Sequence, residues 1–161
     1  RAVYGDVEHP VLPGAGSNMP NSSGQNGTGG HGGGVIHFEV ARRASISGTF
    51  QATGSTATGN GHACAAAGGS IYLKTGHIFV DEGALLKANG CNAAGNPNAG
   101  GGGRIAIWRI YDDPGTVDVD TLTNTVCNVA GGKGNAASAN GQPGTVFLGQ
   151  LPKPGLRILV R

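Results

Sequence analysis

Charge is scarce in this chain. Asp, Glu, Lys and Arg make up 12% of its 161 residues, and 11 cations against 9 anions leave a net charge of +2. That balance offers no electrostatic footprint for nucleic acid, and no basic run makes a local one. The same scarcity argues against a solvated disordered tail, which is rich in Glu, Lys and Pro. No apolar stretch approaches the ~20 residues that span a bilayer, so no membrane crossing is expected. Three cysteines, Cys64, Cys91 and Cys127, are too few for a disulfide-dense scaffold. They also lack C-x-x-C spacing, which argues against a zinc site. Aromatics amount to 5%, with one Trp, so platforms for sugar rings are few. Helix is disfavoured throughout, because glycine is costly in helix interiors and no 3.6-residue apolar stripe runs far.

What is there instead is glycine, at 32 of 161 positions against a usual ~7%, and an internal repeat. Four segments begin alike: Gly33-Gly34-Val35-Ile36-His37-Phe38, Gly68-Gly69-Ser70-Ile71-Tyr72-Leu73, Gly102-Gly103-Arg104-Ile105-Ala106-Ile107 and Pro143-Gly144-Thr145-Val146-Phe147-Leu148. Ile36, Ile71, Ile105 and Val146 are equivalent, and Phe38, Leu73, Ile107 and Leu148 follow two places on. Alternation at period two marks a strand with one buried face, so these eight form the expected inward ladder. A second common segment follows: Phe50-Gln51-Ala52, then Leu86-Lys87-Ala88, and more loosely Cys127-Asn128-Val129.

Each unit therefore reads as strand, short link, strand, and a long Gly-rich excursion, at 54–69, 90–103 and 131–144. One unit cannot bury its own apolar face, whereas stacked units line Ile on Ile and Leu on Leu. The expected fold is all-β, a parallel β-solenoid or β-helix-like stack of ~35-residue units. Whether a period holds one coil or two stays open. For the excursions two arrangements are also open: side-by-side polyglycine-II-like packing, N–H to C=O, or ordinary turns and loops. The run Gly100-Gly101-Gly102-Gly103 is not a phosphate loop, since it enters a strand and lacks the Lys-Ser/Thr and helix.

The units span 32–67, 68–101 and 102–142, with a partial one at 143–148. Residues 1–31 stand outside the repeat as a lead-in that would cap the open end. Residues 149–161 form a turn and a final apolar strand, Leu156–Val160, whose edge invites pairing with another chain or domain. The chain opens at Arg1 with no apolar leader, as expected of a processed protein or a piece of a larger one.

The order Tyr4-Gly5-Asp6, Gly68-Gly69-Ser70-Ile71, Ala88-Asn89-Gly90 and Gly100-Gly101-Gly102-Gly103-Arg104-Ile105-Ala106-Ile107 resembles the Gly-rich repeat modules of very large secreted or cell-surface microbial proteins. The resemblance covers nearly the whole chain and implies a structural or adhesive part, with no catalytic residues.

Candidate sites are few. Asn21 and Asn26 begin sequons in one polar stretch, an extracellular signal if glycosylated. Cys64 and Cys91, both in Gly-rich loops, are the expected disulfide, and Cys127 a buried thiol. Asp112, Asp113, Asp118 and Asp120 cluster as a candidate Ca²⁺ site, or as a solvated turn and outward strand face. Carboxylates Asp81-Glu82 and Asp112-Asp113, with Trp108, are the features a glycan-binding or polysaccharide-processing β-helix would use. His9, His31, His37, His62 and His77 are scattered, and His37 and Tyr72 look like a cross-strand pair. Thr49, Thr53, Thr56 and Thr58 do not recur as an ice-binding ladder. The sequence thus reads as a non-catalytic extracellular module of a cell-surface or filament-forming protein, without a cofactor. Its expected partners are copies of itself, neighbouring domains or glycans.

Overall fold

The computed structural model describes residues 5–18, 27–59, 65–93, 98–111, 126–136 and 139–155. It is built of strands with almost no helix. Nine strands are described: β1 (Gly27–Thr28), β2 (Val35–Ile46), β3 (Thr49–Gln51), β4 (Thr58–Gly59), β5 (Ser70–Val80), β6 (Leu85–Lys87), β7 (Arg104–Arg109), β8 (Cys127–Asn128) and β9 (Thr145–Gln150). The first sheet is parallel, in the order β2-β5-β7-β9, and the second is parallel, β3-β6-β8. A small antiparallel pair joins β1 to β4.

Register follows the repeat. Ile36 faces Ile71, Ile71 faces Ile105 and Ile105 faces Val146; Phe38, Leu73, Ile107 and Leu148 align in the same way. In the second sheet Phe50, Leu86 and Cys127 are aligned. Period two sends these side chains into the space between the sheets. Ile71, Leu73, Ile105, Ile107, Leu86, Ala52 and Ala88 are buried there, with Ile36, Phe50, Val129, Val146 and Leu148 packed around them. One ladder position departs from expectation: Phe38 is 45% exposed. It lies on β2, where no described strand continues the sheet to cover it.

β2 and β5 are longer than the repeat suggested, and the links correspondingly tighter. β2 carries one extra residue between Val40 and Arg43, opposite Gly76 on β5. A Cβ at Gly76 would run into the Arg42 carbonyl, so only glycine admits this bulge. Thr75, buried beside it, donates its hydroxyl to the His77 carbonyl at 2.9 Å. Two glycines with positive φ, Gly48 (73°) and Gly83 (77°), then turn the chain into β3 and β6.

The excursions return through a third region held chiefly by backbone hydrogen bonds, with Ser55, Asn92 and Asn140 side chains accepting a few more. Segment 65–69 is hydrogen-bonded to five others: Ala67 N–H to Ala15, Gly33 N–H to Ala67, Ala66 N–H to Ser55, Cys91 N–H to Ala66, and Gly68 N–H to Gly101, at 2.9–3.2 Å. A β-strand has at most two such neighbours. Gly100 sits similarly, donating to Cys91 and accepting from Gly132. Side chains have no room here: a Cβ on Gly100 would land on the Ala66 carbonyl, and one on Gly132 on the Cys91 carbonyl. Backbone hydrogen bonds thus join the described parts of the excursions to one another.

Candidate functional site

Two surfaces of the first sheet differ sharply in how they are covered. The outward positions carry His37 and Glu39 on β2, Tyr72 and Lys74 on β5, Ala106 and Trp108 on β7, and Phe147 on β9. Residues 5–12 cross this face, and residues 14–17 run on into the glycine region. The Ser70 hydroxyl donates to the Leu12 carbonyl at 2.6 Å and the Trp108 indole N–H to the Glu8 carbonyl at 2.8 Å. The His9 ring stacks between Tyr72 and Trp108, with centroids 5.8 and 5.4 Å away. Asp6 fixes this turn by accepting the His9 and Glu8 N–H groups, which hold its carboxyl below the usual range. Pro10, Tyr72 and Ala106 are buried as a result, and burial pushes the Tyr72 phenol up. Residues 5–12 of the lead-in are thus a strap on the outward face.

The β2 edge, by contrast, is open. A groove of about 290 Å³ runs along it between the two sheets, lined mainly by apolar side chains such as Ile36, Phe38, Val40, Phe50 and Leu73, with Arg43 and Ser45 also in its wall. No residue of the strap lines it. Phe38 and Phe50 meet edge to face across its mouth, centroids 5.7 Å apart. On the outward face of the same edge Glu39 bridges His37 and Lys74, each at 3.3 Å. Its carboxyl is held low, chiefly by the hydrogen bond from His37 and then by Lys74. All three are exposed, so the pairs are screened and contribute little. What the edge presents is a mainly apolar slot, with Arg43 as its one charged lining residue.

The sequence-derived candidates are placed as follows. Cys127 is buried in the second sheet's ladder, and burial pushes its thiol up to about 12. It serves as a small apolar side chain. Cys91 is a half-buried thiol in the glycine region. Cys64 and the proposed Cys64–Cys91 bond lie outside the described residues. So do Asn21, Asn26, His62, Asp112, Asp113, Asp118, Asp120 and Leu156–Val160. Asp81 and Glu82 are exposed at the β5–β6 turn, where the Asp81 N–H donates to the Ile46 carbonyl. Among the described residues no three His, Cys, Asp or Glu side chains come together as a metal site. His37 and Tyr72 do meet, ring centroids 4.7 Å apart, as the cross-strand pair. Thr49 is paired with Leu85, so no threonine ladder starts there. Trp108 is held by the strap and Phe147.

The strap and the open groove were not foreseen. Residues 5–18 lack the repeat, and the only sign of their place was the outward parity of Tyr72 and Trp108. No family model, curated protein or solved structure matches the chain. No described helix is long and apolar enough to cross a membrane.

Proposed function

We propose that the chain is a non-catalytic, extracellular structural module, a segment of a cell-surface or filament-forming protein that acts through self-association or adhesion. In this reading each ~35-residue period is one coil of a β-solenoid-like stack, passing from first sheet to second sheet to a polyglycine-II-like bundle. The observation that carries it is the register kept from Ile36 through Ile71 and Ile105 to Val146. Successive strands stacked in this way transmit load along the stack, and each coil leaves an edge for the next. Stiffness and edges are what a building element needs.

The test is immunogold electron microscopy of the native material, with antibody raised against this chain. Gold on regular fibres or on a surface layer is the expected result. Gold confined to dispersed soluble material would overturn the reading and send attention to saturable glycan binding.

A further inference from the structure

β2 and β9 end the first sheet, and among the described residues each is paired on one side only. We propose that the β2 edge is the docking site for the β9 edge of a second copy of this chain, in parallel register, so that copies add head to tail. The proposal rests on the structural reading above and names its partner.

Backbone parity supports it first. In a parallel ladder alternate residues turn their N–H and C=O to opposite edges. The Ser70 N–H donates to the Gly34 carbonyl, and the Thr145 N–H to the Gly103 carbonyl. Val35, His37 and Glu39 therefore aim their backbone groups out of the β2 edge, and Val146 and Leu148 aim theirs out of the β9 edge. Setting β9 beside β2 in the register that Ile36 keeps with Ile71 interleaves these two sets. The same register places Val146 on Ile36 and Leu148 on Phe38.

Side-chain chemistry supports it second. At every interior step of the sheet an aliphatic pair covers the pair before it, as Ile105 and Ile107 cover Ile71 and Leu73. At β2 that cover is missing, which leaves the groove and holds Phe38 at 45% exposure. Edges are ordinarily blunted by Lys, Pro or inward charges. Here the groove side of β2 carries Ile36, Phe38 and Val40, and β9 (Thr145–Gln150) carries no charge at all. Arg43 also lines the groove, but it lies beyond the stretch that β9 would cover, with its guanidinium 3.9 Å over the Phe79 ring. A second β2 edge would approach this one only antiparallel, losing the Ile-on-Ile register. A β9-on-β2 contact is heterologous, and such contacts build open chains unless the rotation closes a ring.

The test is sedimentation of the whole chain across a concentration series, alone and with two variants. Wild type is expected to grow in mass past the dimer. Phe38→Lys blocks the β2 edge and Leu148→Lys the β9 edge, so each alone is expected to stay monomeric. Mixed in equal amounts they are expected to form dimers and stop, since one intact edge of each kind remains. Phe38 is exposed, so F38K is expected to keep the wild-type melting temperature. Should L148K melt earlier, V146P takes its place, removing an edge N–H that no described strand accepts. Wild type that is monomeric at every concentration, or a mixture that forms no dimers, overturns the proposal. A monomer that still labels a surface layer would overturn this docking alone. A self-assembling chain found only in dispersed material would overturn the structural reading alone.

Discussion

The sheets and the glycine region run through the same repeats, yet they cohere by opposite means. In the sheets, aliphatic side chains fill the space between two ladders, and Ile71, Ile105, Ile107 and Leu86 are almost wholly removed from water. In the glycine region there are few and mostly small side chains to bury, such as Ala66 and Cys91. Gly100, Gly132 and their neighbours approach until a Cβ would strike a carbonyl, and backbone groups satisfy one another across up to five segments. The first region tolerates any apolar residue of fitting volume; the second tolerates almost nothing but absence. Glycine here is a packing residue, conserving space instead of filling it.

Substitutions can break this contrast from either side. The largest effect is expected from Ile105→Asp, which puts an unpaired carboxylate at a position with no exposure. A loss of about 4 kcal/mol or more, beyond what most single substitutions cause, should abolish the cooperative thermal transition. An unchanged transition would mean that the aliphatic ladder is not the core. Next comes Gly100→Ala, which forces a methyl onto the Ala66 carbonyl and should cost about 1–3 kcal/mol by denaturant titration. Its control is Gly34→Ala, where nothing lies within 4 Å of the added Cβ, and where a change of only a few tenths of a kcal/mol is expected. Equal effects at the two glycines would erase the distinction between region and loop.

A smaller, pH-dependent effect should come from Cys127. Its thiol is raised by burial from an ordinary value of 9.0 to about 12 in the fold. Below pH 9 both folded and unfolded chains keep the proton, and the fold loses nothing. Between about 9 and 12 only the unfolded chain ionises, so stability should fall as pH rises through that window. Melting curves at pH 8 and pH 10 for wild type and Cys127→Val check this, the valine chain showing the weaker decline.

Much of this was legible in sequence, and the omissions have physical reasons. The Gly-Gly start and period-two alternation identified Ile36, Ile71, Ile105 and Val146 as equivalent before any strand was placed. The same pattern could not show that Phe38 is uncovered, because exposure depends on a neighbouring strand and not on the residue. The β2 bulge was hidden too: a single extra residue between Val40 and Arg43 looks like ordinary link sequence until Gly76 lies opposite. His9 and Pro10 carry no repeat, so nothing local announced that they strap Tyr72 and Trp108. The glycine excursions were legible in composition alone. Their partners come from five separate stretches, and only the fold brings those together.

The glycine region's nature as a built element is therefore the claim to test most directly, by native-state amide hydrogen exchange read residue by residue. Gly68, Gly100, Gly102 and Gly132 each donate to a carbonyl of another segment. Their amides are predicted to exchange as slowly as those of Ile71 and Ile105, through the same global opening. Exchange at the rate of an unprotected loop, with the sheet amides still protected, would contradict the account.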